Sequence, residues 1–329
     1  MRHSVGLLLM CFMLLLMMAM SLFIGAKAIP VDRVWLALTD GCGSADCVIV
    51  LDARLPRTLA GLLAGLALGL SGALMQTLTR NPLADPGILG VNAGAGFAVV
   101  IGITFFGAAS IDSYLWFAFA GALAAALLVA LIGALGRGRL NPIRLTLAGV
   151  ALGAVLDGMA SGIALLHPLV YDQLRFWQAG SLDIRNMTAV NLVIWPIMLG
   201  TALTLYLTGA LNALSMGNEL ASALGTRVGL TQLVGLTAIT LLCGSATALV
   251  GPIAFVGLMM PHIARWITGP DHRWIMPWTL VLTPVLLLGS DMIGRVIVPG
   301  ELRVSVITAL VGAPVLIVLV RRHPTLGRR

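Results

Sequence analysis

Residues Gly72–Gly90 read GALMQTLTRNPLADPGILG, and they interrupt the longest apolar stretch of the chain. Pro82 and Pro86 end one helix and open the next, because proline lacks the donor and the freedom in φ that a helix interior needs. The residues on either side are rich in Leu, Ala and Gly, so the reading that follows is a turn between two helices that cross a lipid bilayer. A plain turn accounts for Pro, Asn, Asp and Gly. It does not account for Met75–Thr79, which carries polar groups into the helix end.

The rest of the chain agrees. Of 329 residues, 59% are hydrophobic and only 10% charged, whereas soluble domains carry about 25% charged residues. A chain this short of charge cannot cover itself for water, so lipid is its solvent. The formal net charge of +7 does not indicate nucleic acid, because the basic residues stand singly between apolar runs. Lys27 is the only lysine, and no Gly-Lys pair of a Walker A loop exists. The chain therefore does not hydrolyse ATP by the P-loop route. His-Glu-x-x-His and Gly-x-Ser-x-Gly are also absent.

Apolar runs of about 20 residues, the length that spans a bilayer, occur near 5–25, 57–78, 88–107, 115–135, 145–166, 189–209, 231–250, 253–268, 275–296 and 304–320. The eighth is short and contains Pro261 and His262, which predicts a broken or partly re-entrant segment. The first is longer than the usual 7–15-residue core of a signal peptide, so an uncleaved first helix is expected. Placing the N-terminus inside leaves a modest excess of arginine on the inner side. It also puts Cys42 and Cys47, in the first loop, on the outer side, where a disulfide is expected. Gly61, Gly65, Gly69 and Ala73 recur every four residues, as do Gly90, Gly94, Ala98 and Gly102. Small residues at that spacing let helices approach closely in lipid. On the fifth span Thr146, Gly149, Gly153, Asp157 and Ser161 share one helical face. Asp157 is a carboxylate at membrane depth, which marks either a transport path or an internally paired packing stripe. If it were ion-coupled, the chain would be a secondary transporter. No nucleophile–base pair marks an intramembrane enzyme.

The run VLDARLPRTLAGLLAGLALGLSGALMQTLTRNPLADPGILGVNAGAGFA (50–98) resembles the hallmark of the FecCD family, the membrane permeases of ABC importers for iron–siderophore complexes, haem and vitamin B12. The likeness continues through LTLAGVALGAV, YDQLRFWQAGSLDIRN, GPIAFVGLMMPHIARW and LRVSVITALVGAPVLI. It implies an all-α type II importer permease: a single polytopic domain over 1–329 with ten helices, helices 2–5 and 7–10 as an inverted repeat, and both termini cytoplasmic. It also implies a periplasmic loop at 26–56 and a cytoplasmic coupling loop at 210–230. The implied setting is the bacterial inner membrane. The implied partners are a second permease (a copy or a sister chain), two ATPase subunits that hold ATP and magnesium, and a periplasmic siderophore-binding protein. The expected cargo is a ferric siderophore, ferric enterobactin above all. No cofactor or metal is expected in this chain, and His167 and His262 have no ligand spacing around them.

The resemblance further assigns roles by position. Glu219, Ala221, Leu224 and Gly225 match the coupling loop that enters a cleft of the ATPase. Arg54, Arg57 and Arg295 match arginines that dock the binding protein, although Asp291, one turn before Arg295, competes for its side chain. Asn81 and Leu83 match the inner gate, and Thr146, Gly153, Asp157 and Ser161 the path. At the second gate loop, Gly138–Arg144, this chain departs from the small hydroxyl residues of the vitamin B12 permeases.

Overall fold

The computed structural model describes residues 2–25, 27–39, 43–108, 111–134, 142–185, 187–298 and 300–322. Among them there are helices and turns and no strand. Ten helices build the bundle: α1 (Arg2–Phe23), α2 (Leu55–Thr79), α3 (Val91–Phe106), α4 (Ile111–Ala134), α5 (Pro142–Leu166), α6 (Met187–Tyr206), α7 (Val228–Val250), α8 (Val256–Thr268), α9 (His272–Ile297) and α10 (Val304–Arg322). A helix rises about 1.5 Å per residue, so the 25 residues of α2 and the 26 of α9 exceed a hydrocarbon core of about 30 Å, while the 13 of α8 cover about two thirds of one.

Burial separates central helices from peripheral ones. Most of α2 and α7 is buried, whereas α1 and α5 leave most of their apolar surface uncovered. Leu8, Phe12, Leu15 and Leu16 of α1 are exposed, as suits a lipid-facing helix. The glycine stripes explain how the centre closes. Hypothetical Cβ atoms on Gly61, Gly65 and Gly69 would stand 2.7 Å from Leu288, 2.6 Å from Pro284 and 2.1 Å from Thr283, all on α9. Gly72 meets α8 instead: its Cβ would lie 1.8 Å from the Gly257 carbonyl. The second stripe serves α3 and α4, where Gly94 meets Gly121 and Ala125. Backbone contact at this range needs the absence of side chains and gains dispersion energy along the whole interface.

The two halves repeat a pattern. In each, a long central helix (α2, α7) is followed by a non-helical segment and a shortened helix (α3, α8). In the first half Arg80 turns left-handed (φ 50°), and Asp85 accepts the Gly87 N–H at 2.8 Å to start a short 3-10 turn, Pro86–Leu89. In the second, Gly251 (φ 72°) and Phe255 (φ 68°) bracket the stretch that leads α8 back alongside the middle of α2. Non-helical backbone is tolerated at membrane depth only when protein covers it. Here Ser181 donates to the Val250 carbonyl at 2.9 Å, and Gly180 closes over Pro252.

Two expectations change. Most described residues of 26–56 are helical rather than loop: Val31–Thr39 forms a short helix, and Ala45–Thr79 is one continuous helical run. Its Ile49–Arg54 portion is π-helical, because Pro56 cannot donate to the preceding turn and the ladder widens to pass it. The eighth span is not broken at Pro261, which sits inside a continuous α8. The irregular part is the segment before it.

Candidate functional site

At one end of the bundle lies a cluster of charge that sequence spacing could not assemble. Asp291 on α9 is buried and accepts from two arginines. Arg57 on α2 reaches its Oδ1 at 2.8 Å, and Arg295, one turn along α9, donates Nε–H to Oδ2 at 2.9 Å. Arg57 also bonds Glu301 at 2.7 Å and lies 3.8 Å from Asp183. Arg295 ties down the end of α1 through the Ser21 and Ile24 carbonyls, at 2.8 and 3.0 Å. Arg54 does likewise, donating to Leu22 and Phe23 at 2.7 Å each and to Lys27.

These bonds correct the docking assignment. Arg54, Arg57 and Arg295 are 5%, 8% and 5% exposed, so none offers a free guanidinium fork to another protein. They fasten α1, α2 and α9 together, which a guanidinium does well because it donates in several directions at once. The competition of Asp291 for Arg295 is realised, and Arg57 is its second claimant. Of the other cations near this cluster, Arg185 is exposed and paired with Asp183, while Arg303 is half-buried and lies over the Phe176 ring at 5.0 Å. Cys47 is buried and disulfide-bonded; Cys42 lies outside the described residues.

At the opposite end, the helices Thr208–Ser215 and Asn218–Ala223 form a corner between α6 and α7. Gly217 (φ 114°) and Gly225 (φ 82°) bound the six-residue Asn218–Ala223 helix. Gly225 donates to Ser222 at 3.0 Å and Thr226 to Ala221 at 2.9 Å, the closure that left-handed glycine permits. Glu219 and Leu224 are exposed on this knob, and so is Leu220, which the sequence reading passed over. Ala221 is fully buried against the core, so it anchors the knob and cannot touch a partner. The inward side of one short amphipathic turn must carry a small apolar residue, and Ala221 falls there.

The Arg80–Gly90 turn lies at this same end. Asn81 is exposed and its Oδ1 caps the Leu83 N–H at 3.0 Å; Leu83 is half-buried. Burial pushes the Asp85 carboxyl above the ordinary carboxylate range, against the Gly87 N–H that pulls it down. The turn rests on α5, where a Cβ on Gly149 would stand 1.8 Å from the Ile88 carbonyl. Gly149 and Gly153 thus carry the turn and α3, while Asp157 and Ser161, two turns on, face away from the chain and are exposed. Thr146 is half-buried. Asp157 has no ion-pair partner among the described residues. An apolar helix that presents a carboxylate and a serine outward has its polar partner or its path outside its own bundle. The loop 135–141, which holds most of the second expected gate, lies outside the described residues. Among the described residues no three His, Cys, Asp or Glu side chains gather as a metal-ligand set.

The described residues form a lipid-solvated helical bundle with a built knob at one end and a small, polar face on one flank, the form of a membrane permease. The chain belongs to the FecCD transport family, whose pattern matches residues 13–322. It is 66% identical to the ferric enterobactin transport system permease protein FepD of Escherichia coli over 310 residues, 94% of this chain and 93% of that one. It is 36% identical to the vitamin B12 import system permease protein BtuC of Vibrio cholerae, covering 89% of each. Among solved structures, the inward-facing conformation of a metal-chelate type ABC transporter superposes with a TM-score of 0.82 at 28% identity, over 97% of this chain and 99% of that one.

Proposed function

We propose that this permease carries ferric enterobactin across the bacterial inner membrane, with both termini cytoplasmic, energy from two separate ATPase subunits that bind ATP and magnesium, and cargo delivered by a periplasmic binding protein. The observation that carries the cargo is the 66% identity with the E. coli ferric enterobactin permease over 94% of this chain. Relatives of the vitamin B12 type stand much further off.

The geometry supports the division of labour. Leu220 and Leu224 flank Glu219 on a knob held by two left-handed glycines, a shape that transmits a push from ATP-driven closure of the partner. The Asp157–Ser161 face of α5 is turned outward, which suits a path between this chain and a second permease, either a copy or a sister chain. Asn81 and Leu83, on the turn that rests on α5, stand where a gate couples to that path. The outward face also argues against an ion-coupled transporter built inside this single chain. Since Arg54, Arg57 and Arg295 are engaged internally, the binding protein meets the exposed Arg185 first.

The test is co-purification from mild detergent with uptake of labelled ferric enterobactin. The wild-type chain brings down an ATPase and supports uptake. Leu224→Asp places a charge on the knob's apolar face and releases the ATPase while the permease still folds. Retention of the ATPase by that variant, or uptake without any ATPase, would overturn the reading.

A further inference from the structure

Beside the knob is a cavity of ≈ 640 Å³ that none of these roles uses. Its walls come from the ends of three helices: Gln76, Thr77 and Arg80 at the end of α2, His262, Arg265 and Trp266 on α8, and His272 at the start of α9. The charges are of one sign. No carboxylate lines it. Asp271 stands next to His272, but its Oδ1 accepts from Asn212 at 2.6 Å and from the Arg273 N–H at 2.9 Å.

Arg265 is the informative residue. It is half-buried, and its guanidinium takes no hydrogen bond or ion pair among the described residues. A desolvated cation without a counter-ion is costly, and the buried arginines among the described residues, Arg54, Arg57 and Arg295, are all paired or bonded to carbonyls. Gln76 adds an independent sign. It is 3% exposed and donates Nε2–H to the Leu258 carbonyl at 3.0 Å, yet its Oε1 has no partner. The wall therefore offers charged donors and one buried acceptor. A phosphate that also carries a hydroxyl fits both, with its anionic oxygens on Arg80 and Arg265 and its O–H on Gln76. Trp266, exposed beside Arg265, adds the amphipathic ring that sits at headgroup level.

We propose that this cavity binds a hydroxyl-bearing phosphate anion at the Arg80 end of the bundle. Two sources share that chemistry, the headgroup of a phosphatidylglycerol-type lipid and free hydrogen phosphate. Headgroup pockets between helix ends are built from such basic residues.

The experiment uses the full chain in detergent, stripped of phospholipid, with its thermal unfolding midpoint followed during three titrations. These are phosphatidylglycerol, phosphatidylcholine, and inorganic phosphate against chloride at equal ionic strength. A saturable rise with phosphatidylglycerol alone identifies the lipid headgroup, and a saturable rise with inorganic phosphate as well identifies free phosphate as sufficient. Arg265→Gln is expected to weaken half-saturation at least tenfold, equivalent to about 1.4 kcal/mol. Arg80→Gln, on the exposed rim, gives the same reading should the first variant not fold. No rise beyond the phosphatidylcholine and chloride controls overturns the proposal, and so does an unchanged half-saturation in both variants.

Discussion

Replacing Asp291 by Asn keeps the shape of the side chain and removes one charge from between two arginines. Asp291 and Arg295 have side chains 1% and 2% exposed, and that of Arg57 is 10% exposed. Glu301, at 36%, also bonds Arg57 at 2.7 Å, and the Asp183 carboxylate lies 3.8 Å from it. The variant therefore leaves Arg295 with neutral acceptors, among them the Ser21 and Ile24 carbonyls and the Ser21 hydroxyl, and no counter-charge. Breaking a buried ion pair from one side costs about 3–5 kcal/mol. At about 2 °C per kcal/mol, the lower end for a large domain, the thermal midpoint should fall by about 6–10 °C. The assay is thermal unfolding of the purified chain in detergent, and the cut ends of the network identify the cause. A triple change, Arg57→Met, Asp291→Leu and Arg295→Met, removes all three charges and should cost less than Asp291→Asn, since buried pairs contribute little net stability when replaced whole. A midpoint within about 1 °C of wild type for Asp291→Asn, or a triple variant weaker than the single one, would refute the argument.

Three further outcomes are expected. Gly72→Val drives a branched side chain into the Gly257 carbonyl, 1.8 Å from where its Cβ would stand, and should prevent α2 and α8 from packing, read as loss of folded protein on size exclusion. The Asn212 amide and the Arg273 N–H hold the Asp271 carboxyl below its ordinary range. A depressed carboxyl contributes stability above its unfolded pKa and loses it as pH falls through its folded one. Asp271→Ala should therefore cost about 1 kcal/mol near neutrality, and the gap to wild type should close below the unfolded value of 3.8 in a pH series of melts. Asp85 has the opposite sign: raised by burial, its ionised form works against the fold as pH rises past its unfolded pKa. Asp85→Asn, which still accepts from Gly87, should be at least as stable as wild type at pH 8, whereas Asp85→Ala loses the bond and should be less stable at every pH.

The linear sequence determined the solvent, the long apolar helices and the tight packing. Lipid demands long apolar helices whose backbone bonds close on themselves, and that demand is written in runs of about 20 residues. The glycine stripes were legible for the same reason, since their spacing is local, although only the structure showed that Gly61, Gly65 and Gly69 face α9 while Gly72 faces α8. The knob was legible through Gly225, whose left-handed backbone is a local requirement, but not the orientation of Ala221 against the core. What the sequence could not decide is what depends on residues far apart in the chain. Arg57 and Asp291 are separated by 234 positions and meet at 2.8 Å. An arginine at a helix end reads identically whether it faces another protein or a buried carboxylate, and only the packing of α1, α2 and α9 settles which. Arg265 shows the converse. Its neighbours Gln76 and Arg80 come from the end of α2 and His272 from the start of α9, and the lack of a carboxylate among them is a property of the fold alone.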